Sequence, residues 1–265
     1  MQKARRQMEE QLKLVDIIIE LKDARIPLAS SNPIIKELAP NKPRLVILNK
    51  SDLADAFQNN EWMNYYENCL LIDSLNSNIT KNVVNKIKDI LKDKLKKAQE
   101  RGIRKKVLRA MVVGIPNVGK STFINNVVKR NINKVEDRPG VTKSLNWIKI
   151  NEDVELLDTP GILWPKFENQ DDAKLLTIVG SINDDVINDK YEVVKFGLDY
   201  LKENYPNVLN SRYGVNTESD DLLDDICINK NFVGKNNEND IDKCIDFLLK
   251  DFRTGKIGKV TWQKC

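Results

Sequence analysis

Histidine is absent from all 265 residues, and there are only four cysteines, at positions 69, 227, 244 and 265. The cysteines lie far apart and form no C-x-x-C pair, so the chain has neither the imidazoles nor the clustered thiolates that a zinc site needs. They read as reduced thiols. Long apolar runs are missing as well: VDIII (15–19) and MVVGI (111–115) have the length of a strand, not of a membrane span. The charged start MQKARRQMEEQ is unlike a secretory signal. A soluble, cytoplasmic protein of one or two domains is expected, with enough chain for a sizeable core.

Net charge is also scarce, a formal +4, but it is unevenly spread. Residues 1–165 carry 29 Lys and Arg against 20 Asp and Glu, net +9; residues 166–265 carry 14 against 19, net −5. Nine of the eighteen positions from Lys92 to Arg109 are cationic. Such a run can serve as a polyanion surface. Taken alone it reads more plainly as a solvated helix and linker.

What the chain does have is alternation. Apolar strands VDIIIEL (15–21), RLVIL (44–48), CLLID (69–73), VLRAMVV (107–113) and VELL (154–157) are separated by amphipathic stretches. That pattern predicts a parallel sheet with helices on both faces. Each strand runs into a polar or glycine-rich loop, namely DARIP, NKSD, SLNSN, GIPNVGKST and DTPG. In open α/β sheets ligands bind at the carboxyl ends of strands, so these loops converge on one crevice.

GIPNVGKST (114–122) matches G-x-x-x-x-G-K-[ST] in full and lies between a strand and a plausible helix, TFINNVVKR. Its glycines let the backbone wrap a phosphate, with amide donors from the loop and the helix N-terminus. Lys120 reaches the outer phosphates, and the Ser121 hydroxyl can bind Mg2+. Forty-four residues beyond Gly114, Asp158 of DTPG stands where a carboxylate can hold magnesium through a water, with the Gly161 amide facing a γ-phosphate. Between the two, DRPGVTKS (137–144) offers Thr142 as a second magnesium hydroxyl on a loop that orders around the γ-phosphate. NKSD supplies an aspartate, Asp52, whose two oxygens can accept from guanine N1–H and the exocyclic amine, a donor pair that adenine does not present. In the SLNSN loop, Asn76-Ser77 is the register that would back the base.

The order NKSD, NS, GIPNVGKST, PGVT, DTPG resembles a circularly permuted GTPase. DARIPLASSNP, GIPNVGKST, DRPGVTKS and LLDTPGILWPKF resemble the ribosome-biogenesis GTPase A (YlqF-like) family over nearly the whole chain. The implied fold is α/β: a circularly permuted P-loop GTPase domain at 1–165, followed by a smaller all-helical domain at 166–265. Helical apolar spacing in EVVKFGLDYLKENYP and IDKCIDFLLKDFRTGKIG agrees with the second part. Candidate GTP-binding residues are Asn49, Lys50, Ser51, Asp52, Asn76, Ser77, Asn117, Val118, Gly119, Lys120, Ser121, Thr122 and Gly161. Candidate catalytic residues are Lys120, Thr142 and Gly161, and candidate magnesium ligands are Ser121, Thr142 and, through water, Asp158. Asn117 matches the asparagine that helps hold K+ in potassium-stimulated relatives; a loop-shaping role is the plainer alternative.

Slow intrinsic GTP hydrolysis, raised by ribosomal subunits, is expected because the chain has no histidine and no glutamine after DTPG to orient water. The resemblance implies a monomer whose partners are GTP, GDP and the large ribosomal subunit, its rRNA and its proteins, with the helical part contacting RNA. The acidity of that part argues against an RNA affinity of its own, so the basic half is expected to make much of the phosphate contact. Two departures bear on catalysis. Ile162-Leu163, not glutamine, follows Gly161, and the histidine that the family supplies from a short N-terminal segment has no counterpart here. Either the chain is truncated or hydrolysis works differently. Two other readings stand beside the GTPase: a non-catalytic GTP-dependent RNA-binding switch, and a P-loop ATPase or kinase in which NKSD is fortuitous.

Overall fold

The computed structural model describes residues 2–73, 79–103, 105–128, 147–158, 169–182, 189–234 and 238–265. Among them, six strands form one sheet: β1 (Ile17–Asp23), β2 (Arg44–Asn49), β3 (Cys69–Ile72), β4 (Leu108–Gly114), β5 (Trp147–Lys149) and β6 (Val154–Asp158). Their order across the sheet is β3-β2-β1-β4-β6-β5. The chain enters at the centre with β1, steps outward to β3, returns to the centre at β4 and leaves in the other direction. Every pairing is parallel except that of β5, a three-residue edge strand antiparallel to β6. The expected strands are all present, displaced by no more than two residues, and β5 is an addition to the parallel reading.

Side chains alternate between the two faces because the strand period is two. On one face Ile17, Ile19, Leu21, Ile47 and Val112 pack against Val83 and Ile87 of α4 (Ile79–Ile90) and Phe123 and Val127 of α6 (Lys120–Val128). On the other, Ile18, Met111, Val113 and Leu157 meet Met8 and Leu12 of α1 (Gln2–Leu14) and Ile35 of α2 (Pro33–Leu38). Trp62 of α3 (Ala56–Tyr65) covers Val46, Leu48 and Cys69 on that same side. Both faces are covered, which is why the central strands read as continuous apolar runs. Within the basic run, α5 (Lys92–Glu100) forms with only Ala98 buried.

Beyond β6 the named elements are all helices: α7 (Gln170–Ile178), α8 (Lys190–Asn204), α9 (Pro206–Tyr213), α10 (Leu222–Asn229) and α11 (Ile241–Thr254). The sequence starts four of them with an Asx residue whose side chain accepts an amide of the first turn: Asn169, Asp189, Asp221 and Asp240. Each such cap stabilises its helix by about 1 kcal/mol. Gly197 of α8 faces Phe252 of α11 so closely that a Cβ there would lie 2.9 Å from the ring. After α11 the chain turns through Gly255, at φ 71°, and runs back to the sheet. Val260 N–H donates to Leu53 O (3.1 Å), Trp262 N–H to Arg25 O (2.7 Å), and Trp62 Nε1 to Gln263 O (3.1 Å). Among the described residues no helix is long and apolar enough to cross a membrane.

Candidate nucleotide site

The strand order reverses between β1 and β4, and in such sheets the crevice at the carboxyl ends beside the reversal is the usual ligand site. The loop after β4 carries the phosphate motif. Gly119 adopts φ 92°, and a Cβ on it would stand 2.5 Å from Asn49 Nδ2, so conformation and space both require glycine there. Asn49 Nδ2 donates to Val118 O at 2.7 Å. The NKSD loop and the phosphate loop, 65 residues apart from Asn49 to Gly114, are therefore in direct contact. Lys120 opens α6, and its ammonium lies 2.6 Å from Asp158 Oδ1 at the end of β6. Ser121 and Thr122 are exposed on the first turn of α6, where backbone N–H groups lack intrahelical partners and suit an anion.

The NKSD loop is held by its backbone and by Lys50. Lys50 sits at φ 58°, a left-handed conformation uncommon outside glycine. Its ammonium is 3.0 Å from Asp23 Oδ2. Ser51 N–H donates to Ile72 O (3.4 Å), Asn59 Nδ2 donates to Ser51 O (3.0 Å), and Leu53 N–H turns back to Lys50 O (3.0 Å). Asp52, between them, is exposed.

Asp23 is buried and takes a forked pair from Arg25, Nε to Oδ1 and Nη2 to Oδ2, both at 2.9 Å. Burial alone would raise its pKa, but Arg25 and Lys50 hold the carboxyl well below the usual carboxylate range. Arg25 Nη1 donates onward to Phe252 O (3.2 Å) and Arg253 O (3.1 Å) at the end of α11, and Nη2 to Val179 O (3.4 Å) just after α7. Asn117, at φ 56°, donates from Nδ2 to Gly180 O at 2.9 Å. Lys22, on the opposite side of β1, is buried beneath Tyr66. It donates to Ser31 Oγ and to Tyr66 OH (3.0 Å), with Glu20 4.0 Å away. Burial lowers the Lys22 ammonium to about 8, the nearby Glu20 working against that shift.

A family model described as "50S ribosome-binding GTPase" matches residues 109–216. Ribosome biogenesis GTPase A of Bacillus pumilus is 42% identical over 271 aligned residues, covering 100% of this chain and 96% of that protein. The chain belongs to the ribosome biogenesis GTPase A family. The Bacillus cereus protein of the same name is 43% identical, covering 99% of this chain and 91% of that one. GNP-bound YlqF from T. maritima superposes with a TM-score of 0.69 over 99% of this chain and 98% of that chain; at 23% identity this likeness speaks for the fold, a circularly permuted GTPase.

Within this ribosome biogenesis GTPase A family member, the structure gathers Asn49, Lys50, Ser51, Asp52, Asn117, Val118, Gly119, Lys120, Ser121, Thr122 and Asp158 at one edge of the sheet. Asn76, Ser77, Thr142 and Gly161, together with Ile162 and Leu163, lie outside the described residues. Sequence reasoning gave no role to Asp23 and Arg25. The signal was available: opposite charges that close an otherwise apolar strand seldom sit there unless they are paired.

Proposed function

We propose that this GTPase binds GTP across the carboxyl edge of the sheet and, in the GTP state, docks on the immature large ribosomal subunit, leaving after hydrolysis. The observation that carries the reading is the Asn49 to Val118 hydrogen bond, which joins the base motif to the phosphate motif. Asp52 would read guanine, with Asn76-Ser77 behind the base. The amides of residues 115–119 and the first turn of α6 would surround the phosphates. Lys120 would exchange Asp158 for the outer phosphates, leaving the carboxylate to the metal. The Ser121 hydroxyl would bind Mg2+ and the Asp158 carboxylate would hold it through a water, the oxygen chemistry that Mg2+ takes when substrate phosphates and water complete its shell. Magnesium, when bound, supplies charge that offsets the β- and γ-phosphates. Thr142 and Gly161 would close around the γ-phosphate.

The division into a GTPase domain at 1–165 and a helical domain at 166–265 is part of this reading, as are a monomeric state and a cytoplasmic site of action. Asn117 is assigned to a potassium site, so K+ in place of Na+ should speed hydrolysis and Asn117→Ala should remove that preference. With no histidine in the chain and no glutamine after Gly161, intrinsic turnover should be about 10⁻⁴–10⁻² s⁻¹, the range of unassisted switches. Lys92, Lys96 and Lys97 on α5 are exposed and suit rRNA phosphates. The test is cosedimentation with assembling large subunits in GTP, GDP or ATP, with turnover measured in the same samples. GTP-dependent association, faster turnover on subunits, and loss of both in Lys120→Ala are expected. Equal association in all three nucleotides would sink the reading.

A further inference from the structure

We propose that Asp23 and Arg25 are positioning residues that couple the base loop to the carbonyl ends of α7 and α11, so that guanine-nucleotide binding and docking of the C-terminal segment strengthen each other. The inference rests on the reading of NKSD as the guanine site. Arg25 is 1% exposed and Asp23 is fully buried, so each charge depends on its partners for the solvation it has lost. Those partners come from both parts of the molecule. Asp23 receives three bonds from Arg25, two from the guanidinium and one from the backbone N–H, and one contact from Lys50, while the guanidinium spends its other donors on Val179 O, Phe252 O and Arg253 O. Moving the ends of α7 and α11 away would strand guanidinium donors inside the protein. Arg25 would then swing, and Asp23 would lose the clamp that holds Lys50 in its left-handed conformation.

The far flank of the base loop is tied to the same segment. Gly255 approaches Leu53 so closely that a Cβ there would stand 2.7 Å from Leu53 Cδ2. Val260 N–H donates to Leu53 O at 3.1 Å, and Asp55 N–H to Thr261 Oγ1 at 3.0 Å. Asp52 is therefore carried on a loop fixed before it through Lys50 and after it through Leu53 and Asp55. Both fixings require the C-terminal segment in place. Coupling of this kind is reciprocal: if the docked segment improves nucleotide affinity, nucleotide must stabilise the docked segment by the same factor.

Wild type, Arg25→Lys and Arg25→Gln, each as the full chain, would be compared for GDP affinity by fluorescence titration and for amide exchange at Val260 and Trp262 with and without saturating GDP. GDP should slow exchange at these two amides about 5–150-fold more than in α10, the range of typical coupling. Arg25→Gln should weaken GDP by a comparable factor and abolish the extra protection, a ligand-dependent change that loss of packing alone would not produce. Arg25→Lys, which keeps the charge without the fork, should fall between. Asp52→Asn in parallel reports on the guanine reading itself, and unchanged GDP affinity there would remove the premise. If Asp52→Asn weakens GDP but wild-type Val260 and Trp262 gain no more protection than α10, the coupling is wrong and the guanine site stands. A folded Arg25→Gln that binds GDP like wild type would overturn the coupling in the same way. Should Arg25→Gln fail to fold, the wild-type exchange comparison decides.

Discussion

Two charged regions of this chain obey opposite rules. Around β1, Glu20, Lys22, Asp23 and Arg25 are nearly or wholly buried, and each meets a specific partner. Between Lys92 and Arg109 the eight cations among the described residues lie mostly at the surface, and pairings such as Lys105 with Glu152, or Arg109 with Glu155 at 3.5 Å, are open to water. A surface ion pair is worth about 0–1 kcal/mol because water screens it. A buried charge that loses its partner costs several times more. The buried group is therefore an anchor in which each residue is irreplaceable. The surface run acts as a sum, and its members can substitute for one another.

The sharpest way to break this contrast is Asp23→Ala, which leaves Arg25 and Lys50 facing a buried gap. It should cost about 3–5 kcal/mol in urea unfolding, the range for a broken buried pair. A loss no larger than that of a surface lysine would erase the distinction.

Next in size is a pH effect from Lys22. The folded state gives up this proton near pH 8, whereas the unfolded state keeps it to about 10.5, so between those values the unfolded chain binds more protons and stability rises with pH. From pH 8 to 10 the gain should be about 2 kcal/mol, and Lys22→Met should remove that slope. A flat wild-type profile over this window would mean that Lys22 is not held as described.

The smallest effects belong to α5. Lys96→Ala and Lys97→Ala should each shift stability by no more than about 0.5 kcal/mol, as surface changes usually do. In subunit binding, however, each rRNA phosphate left without its lysine should flatten the plot of log affinity against log salt by somewhat less than one. An unchanged salt slope in the double variant would move the RNA contact elsewhere.

The sheet was legible because VDIIIEL, RLVIL and VLRAMVV are apolar enough to be buried on both faces, and because each ends in a loop with distinct chemistry. Asn49 and Val118 could be expected near one another from their motifs alone. Asp23, Arg25 and Lys22 could not be read as buried, since a charged side chain looks solvated until the partners that neutralise it are known, and those partners come from residues 66 and 179–253. β5 was too short to register as a period. The path of Val260 to Gln263 was also hidden, because no local pattern says which distant surface a short tail will cover. Asn117 was expected at the phosphates, and its hydrogen bond to Gly180 was not, for the same reason.

The stretch from Val260 to Gln263 that closes over the NKSD loop also sets a clock on folding. The hydrogen bond from Asp55 to Thr261 spans 206 residues, and those from Leu28 and Ala29 to the Gln263 side chain span 235 and 234. Contacts so distant in sequence are slow to form and cannot begin until residues 261–263 have been made. At roughly 5–20 residues per second, the NKSD segment would wait about 10–40 s after its own synthesis for the residues that fix its far side. Once residue 128 is made, for roughly the last two-thirds of that interval, the phosphate-motif loop, its strand and its helix are available while the NKSD loop still lacks its final support. A nascent chain of this protein should thus acquire its grip on phosphate before its selectivity for the base.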